Sequence, residues 1–196
     1  MTRLLLALAL PHENADERLS AHGHELLYTG VGKVNAALAL TQALATRERD
    51  GLLVVNLGSA GSPVFRTGEV VQARRFFERD MDARAIGVPL GLTPFETESH
   101  IESSLLLPDL PQATCYTGDS FVTEPHPQLE LEIIDMEAYA MAKACQRLGV
   151  PFASLKFITD GADGAAADDW QTAVHLSAAK LSIALRALER ELGLGD

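Results

Sequence analysis

Three runs of apolar residues constrain this chain more than any other feature of its sequence. Residues 4–10 read LLLALAL, residues 52–57 read LLVVNL and residues 152–158 read FASLKFI. A strand with one wet face alternates apolar and polar side chains; strand-length runs apolar on both faces suit a parallel sheet covered on either side by helices. Helical stretches separate the runs. One spans residues 33–47, opened by Gly30-Val31-Gly32; a second spans 133–147 after an extended lead-in; a long amphipathic one closes the chain over 170–192. Further extended pieces fall at residues 25–29 and at 69–77, the latter after the Thr67-Gly68 turn signal. Residues 83–117 are proline-rich and weakly periodic, and read as loops with at most one short helix. The alternation predicts an α/β fold, a three-layer α/β/α arrangement with a central mixed sheet, formed by residues 1–196 as one domain.

Composition agrees and excludes several functions. A chain of 196 residues, 47% of them hydrophobic, supports one core and is short for two domains. The net charge of −11 repels phosphate backbones and anionic lipid surfaces, so neither nucleic acid nor membrane is an expected partner. Cys115 and Cys145 are the only cysteines and the six histidines show no ligand spacing, so no metal or other cofactor is expected. The run after Arg3 imitates a secretory signal, but Pro11-His12-Glu13 stands where a small-x-small site belongs. A buried first strand and a cytoplasmic protein are the expectation.

In sheets of this kind, sites form at the carboxyl ends of strands. Glu13, Ser59 and Asp160 stand just past the three apolar runs. Gly30-Val31-Gly32-Lys33 resembles half of a phosphate loop, but the first glycine is missing, which favours a tight strand-to-helix turn. Asp135-Met136-Glu137-Ala138 opens an otherwise apolar helix; its acids either complement the helix dipole or are buried carboxylates that require a ligand. Thr159-Asp160-Gly161-Ala162-Asp163-Gly164 is either a glycine-rich turn with self-satisfied aspartates or the acid of a catalytic pair. Were Glu13, Glu137 and Asp160 to meet in one crevice, they would suit glycosidic cleavage through an oxocarbenium-like state.

Five segments occur together in order: Thr29-Gly30-Val31-Gly32-Lys33-Val34, Val55-Asn56-Leu57-Gly58-Ser59-Ala60-Gly61, Gly118-Asp119-Ser120-Phe121-Val122, Asp135-Met136-Glu137-Ala138 and Ile158-Thr159-Asp160-Gly161-Ala162-Asp163. The series closely resembles 5′-methylthioadenosine/S-adenosylhomocysteine nucleosidases, and implies their nucleoside phosphorylase-like fold and a purine nucleoside as the small-molecule partner. By that resemblance Asp160 is the general acid at purine N7 and Glu13 the water-activating carboxylate. Glu137 binds the ribose 2′/3′-hydroxyls, Met136 packs on the sugar, and Phe121 stacks on the base while the Val122 backbone reads its edge. Ser59 lies near the ribose and the attacking water. The segment around Leu10-Pro11-His12-Glu13-Asn14 departs from the family's usual acidic run but keeps its spacing after the first strand. Residues 80–87 and 91–94 resemble a loop that, in family dimers, lines the neighbour's 5′-substituent pocket, with Ile86 and Pro94 as lining residues. An aromatic is commoner where Ile86 stands. The resemblance thus implies a homodimer, and also two shortened regions, one between Glu13 and Thr29 and one between Pro94 and Thr117, where a hairpin and a helix are trimmed.

Two other functions are open to such a chain. A phosphate-dependent purine nucleoside phosphorylase would use the same base and ribose contacts but needs an anion site, for which Arg18, Arg74 and Arg84 are available. A catalytically silent nucleoside binder would have no use for both Glu137 and Asp160.

Overall fold

The computed structural model describes residues 2–124 and 126–194. Strand β1 (Arg3–Leu8) lies between β2 (Glu25–Tyr28) and β3 (Leu52–Gly61), parallel to both. Its alternating side chains serve two cores, as its doubly apolar sequence requires. Leu5 and Ala7 join Ala36, Leu40 and Leu44 of helix α1 (Lys33–Ala45) and Met141 of helix α2 (Ala138–Leu148). Leu4, Leu6 and Leu8 join Leu181, Leu185 and Leu188 of a C-terminal helix on the opposite face. Each fully buried leucine contributes about 1.5–3 kcal/mol, so this one strand ties the sheet to both helical layers.

The remaining strands are β4 (Val70–Glu78), β5 (His100–Glu102), β6 (Gln112–Thr117), β7 (Ile133–Asp135) and β8 (Phe152–Asp160). Strand β3 pairs in parallel with β8, β8 antiparallel with β4, β4 in parallel with β6, and β6 in parallel with β7. Strand β7 then returns antiparallel to β3 at the single pair Gly61–Ile134, closing five strands of the mixed sheet into a ring. Buried Asn56 fixes the register inside it: its Nδ2 donates to the Ala7 carbonyl at 3.1 Å and its Oδ1 accepts from Ser154 at 2.8 Å.

Several boundaries differ from those expected from sequence. Residues 58–61, past the second apolar run, continue β3, because β8 pairs with them as far as Asp160. Residues 133–135 form a strand, and α2 begins only at Ala138, so Asp135 and Glu137 precede the helix instead of lying in its first turn. The long final helix is broken into α3 (Ala166–Ala173), a 3-10 turn (Val174–Leu176) and α4 (Ser177–Glu191). The break falls where buried Ser177 turns its hydroxyl onto the Val174 carbonyl at 2.6 Å, a local bond that competes with helix continuation. Residues 83–117 contain two strands, β5 and β6. Their pairing with β4 is non-local, and β5 is too short to show a period. In neither shortened region do the described residues form a hairpin or an α-helix. No helix among the described residues is long and apolar enough to cross a membrane.

Candidate active site

The carboxyl ends of β1, β3, β7 and β8 open on one cleft of about 840 Å³, part of it facing solvent. Glu13, Ser59, Phe121, Val122, Met136, Glu137 and Asp160 all line it. Ile86 and Pro94 do not: Ile86 is exposed on a 3-10 turn and Pro94 is half-buried outside the cleft.

Glu13 reaches the cleft from the 3-10 turn that follows β1. Its Oε2 accepts from the Ala9 and Leu10 amides at 3.0 and 3.1 Å, and its Oε1 from the Ser59 amide and hydroxyl at 2.8 and 2.9 Å. The carboxylate is 3% exposed, and these four donors fill its acceptor positions, which is what permits a buried anion. Gly58 is glycine because a Cβ there would stand 2.9 Å from Glu13 Oε1.

Asp160 closes β8 on the opposite wall. Its Oδ2 accepts from Thr159 Oγ1 at 2.7 Å and its Oδ1 from the Ala162 amide at 3.0 Å. Burial pushes its pKa up against those two donors, and Asp169 and Asp163 add to the rise. Thr159 Oγ1 also lies 3.3 Å from the Ala60 carbonyl, so its hydrogen has a second acceptor when Asp160 Oδ2 carries a proton. A Cβ at Gly61 would fall 2.5 Å from Asp160 Oδ1. The two glycines of the Gly58-Ser59-Ala60-Gly61 segment thus make room for the two carboxylates, one each.

Glu137 sits at the β7–α2 junction, buried, with Oε1 accepting from the Gly32 amide at 2.8 Å. Its Oε2 takes no hydrogen bond from the described residues and is available to a ligand. Desolvation, the Asp135 charge and the Glu13 charge push its pKa up to about 7, against Lys156 and the Gly32 amide. Asp135 is held below its ordinary value despite complete burial, because Lys156 Nζ lies 2.8 Å away and Thr117 and the Ala138 amide donate to it. Lys156, on β8 and fully buried, has its own pKa raised by Asp135 even though burial opposes its charge. Sequence reasoning passed over Lys156, although one lysine inside an all-apolar strand is itself the signal of a buried ion pair. It also passed over Trp170 of α3, which lines the cleft and donates its indole N–H to Ser59 Oγ at 3.1 Å.

The half phosphate loop is a strand-to-helix turn whose anions belong to the protein. The Gly32 and Lys33 amides at the start of α1 donate to Glu137 and Asp119, and Lys33 Nζ pairs with Glu78 and Asp80. Arg18, Arg74 and Arg84 pair with Asp16, Glu132 and Asp82, and none of them lines the cleft.

The chain belongs to the Phosphorylase superfamily, whose profile matches residues 19–190. Within that superfamily it is 32% identical over 181 residues to the 5′-methylthioadenosine/S-adenosylhomocysteine nucleosidase of Haemophilus influenzae, covering 82% of this chain and 77% of that protein. The fold superposes on Helicobacter pylori 5′-methylthioadenosine/S-adenosyl homocysteine nucleosidase with a TM-score of 0.85 at 22% identity, over 97% of this chain and 98% of that one. It matches the futalosine hydrolase of Helicobacter pylori equally, with a TM-score of 0.85 at 23% identity over 97% and 98% of the two chains.

Proposed function

We propose that the protein is a nucleosidase that hydrolyses the N-glycosidic bond of an adenosine derivative, such as 5′-methylthioadenosine or S-adenosylhomocysteine, to adenine and a ribose product. The observation that carries this reading is the separation of three carboxylates by environment around one cleft. Asp160, raised by burial, donates a proton to purine N7 and makes the base a better leaving group. Glu13, whose two oxygens accept from four donors, takes the proton of the attacking water. Glu137 offers Oε2 to the ribose hydroxyls, Met136 packs on the sugar, and half-exposed Phe121 stacks on the base beside Val122.

Water is favoured over phosphate by what occupies the amides. The amide pair at Ala9 and Leu10 and the amides that open α1 are the places where an anion would be cradled, and each already holds a protein carboxylate. A phosphate ion here would meet Glu13 with no arginine among the described residues lining the cleft to offset it.

The reading includes one domain, since all eight strands among the described residues belong to a single sheet, and a homodimer. In the dimer, exposed Ile86 and half-buried Pro94 complete the partner's 5′-substituent pocket. The support is exposed apolar surface: Ile86 and Phe95 after β4, and Val34 and Leu38 one turn apart on α1. The test of function is chromatography of free base after incubation with 5′-methylthioadenosine, S-adenosylhomocysteine and futalosine in the presence of a chelator. Adenine from either of the first two is expected; a panel left intact at high enzyme concentration overturns the reading.

A further inference from the structure

Glu13 cannot accept a proton from a water directly without losing one of its present donors. Three of those donors are backbone amides of Ala9, Leu10 and Ser59, fixed by the fold, and the fourth is the Ser59 hydroxyl. Among these four donors that hydroxyl is the movable one. Its oxygen has two lone pairs, of which one accepts the indole N–H of Trp170 at 3.1 Å. With its hydrogen on Glu13 and one lone pair on Trp170, Ser59 keeps one lone pair for a donor in the cleft, which all three residues line.

We propose that Ser59 relays the proton of the attacking water to Glu13, and that Trp170 is the positioning residue that holds the Ser59 hydroxyl in relay geometry. The proposal rests on the nucleosidase reading above. In the step, water donates to Ser59 Oγ while its oxygen forms the bond to C1′. The water proton passes to Oγ as the Ser59 hydroxyl proton passes to Glu13 Oε1. The C1′–N9 electron pair leaves with the base, which takes the Asp160 proton at N7. Ser59 ends unchanged, Glu13 has gained one proton and Asp160 has lost one.

Without the indole, the Ser59 hydroxyl is free to rotate away from Glu13, and the relay is assembled only part of the time. Trp170→Phe keeps an aromatic wall and removes only the N–H. It is expected to lower kcat about three- to tenfold, the scale of one neutral hydrogen bond, with KM within about twofold. The same change made in a Ser59→Ala background is expected to cost nothing further, and in a Ser59→Thr background, which restores a hydroxyl, to cost again. Equal losses from Trp170→Phe with and without the Ser59 hydroxyl would show that the ring acts by packing alone and overturn the proposal.

Trp170 is the only tryptophan in the chain, so its N–H-sensitive Raman band reads the contact without reference to turnover. Ser59→Ala should move that band to the position of an unbonded indole; an unmoved band overturns the proposal. Absence of adenine release by the unaltered protein would sink the nucleosidase reading instead, and the Raman comparison would still decide whether Trp170 holds Ser59.

Discussion

Asp160 and Glu13 are both at most 3% exposed, yet their neighbours prepare them for opposite tasks. Glu13 accepts from four donors, three of them backbone amides. Asp160 has two donors, one of which, Thr159, can turn to the Ala60 carbonyl and leave a protonated oxygen free. Replacing Asp160 by Asn keeps the shape and removes the proton; kcat should fall by about two to four orders of magnitude with the thermal midpoint little changed. Gly61→Ala is the complementary test, since it leaves the carboxyl group in place but sets a methyl 2.5 Å from Asp160 Oδ1. A displacement of about 1 Å costs up to roughly a hundredfold in rate. Steady-state kinetics on folded protein check both, and ordinary turnover in either variant would remove Asp160 from the chemistry.

The β7–α2 junction concentrates two carboxylates and one ammonium in the interior, and this gives the element a pH dependence of definite sign. Glu137 has an ordinary value of 4.5 and one of about 7 in the folded protein. The folded state therefore keeps a proton that the unfolded chain gives up above 4.5. The associated stability is complete below pH 4.5 and is lost as pH rises through about 7. Compared with Glu137→Gln by urea unfolding, the unaltered protein should lose about 2–3 kcal/mol between pH 4.5 and 8. Parallel curves would contradict the burial of this group. The junction also shows where sequence reading stops. The runs at residues 4–10, 52–57 and 152–158 identified the three central strands, because doubly apolar periodicity is a local signal. Whether Asp135 lay in a helix or before it depended on pairing with β6, a contact between residues far apart in sequence. The lone lysine of the third run signals a buried ion pair, but its partner Asp135 is identified only by the closed ring that brings the two side by side. Among the cleft residues, those in the five motif segments and Glu13, by its spacing after the first apolar run, were legible, whereas Trp170 belongs to no segment and is placed by the break between α3 and α4.

For the whole molecule, the exposed apolar side chains Ile86, Phe95, Val34 and Leu38 argue for a covered surface, and light scattering at micromolar concentration should give twice the 21.1 kDa chain mass. Full activity in a preparation that is monomeric at nanomolar concentration would show that the cleft closes without a partner. Whether water attacks in a cleft whose anion-binding amides are already filled is read from the sugar product. The unaltered enzyme and Glu13→Gln are incubated with 5′-methylthioadenosine in ¹⁸O-labelled water, with and without saturating phosphate, and the sugar is analysed by mass spectrometry. A free ribose product carrying ¹⁸O at C1′ is expected, formed at the same rate in both buffers, with near-complete loss of turnover in Glu13→Gln. A sugar 1-phosphate formed only when phosphate is present, with Glu13→Gln still active, would contradict it.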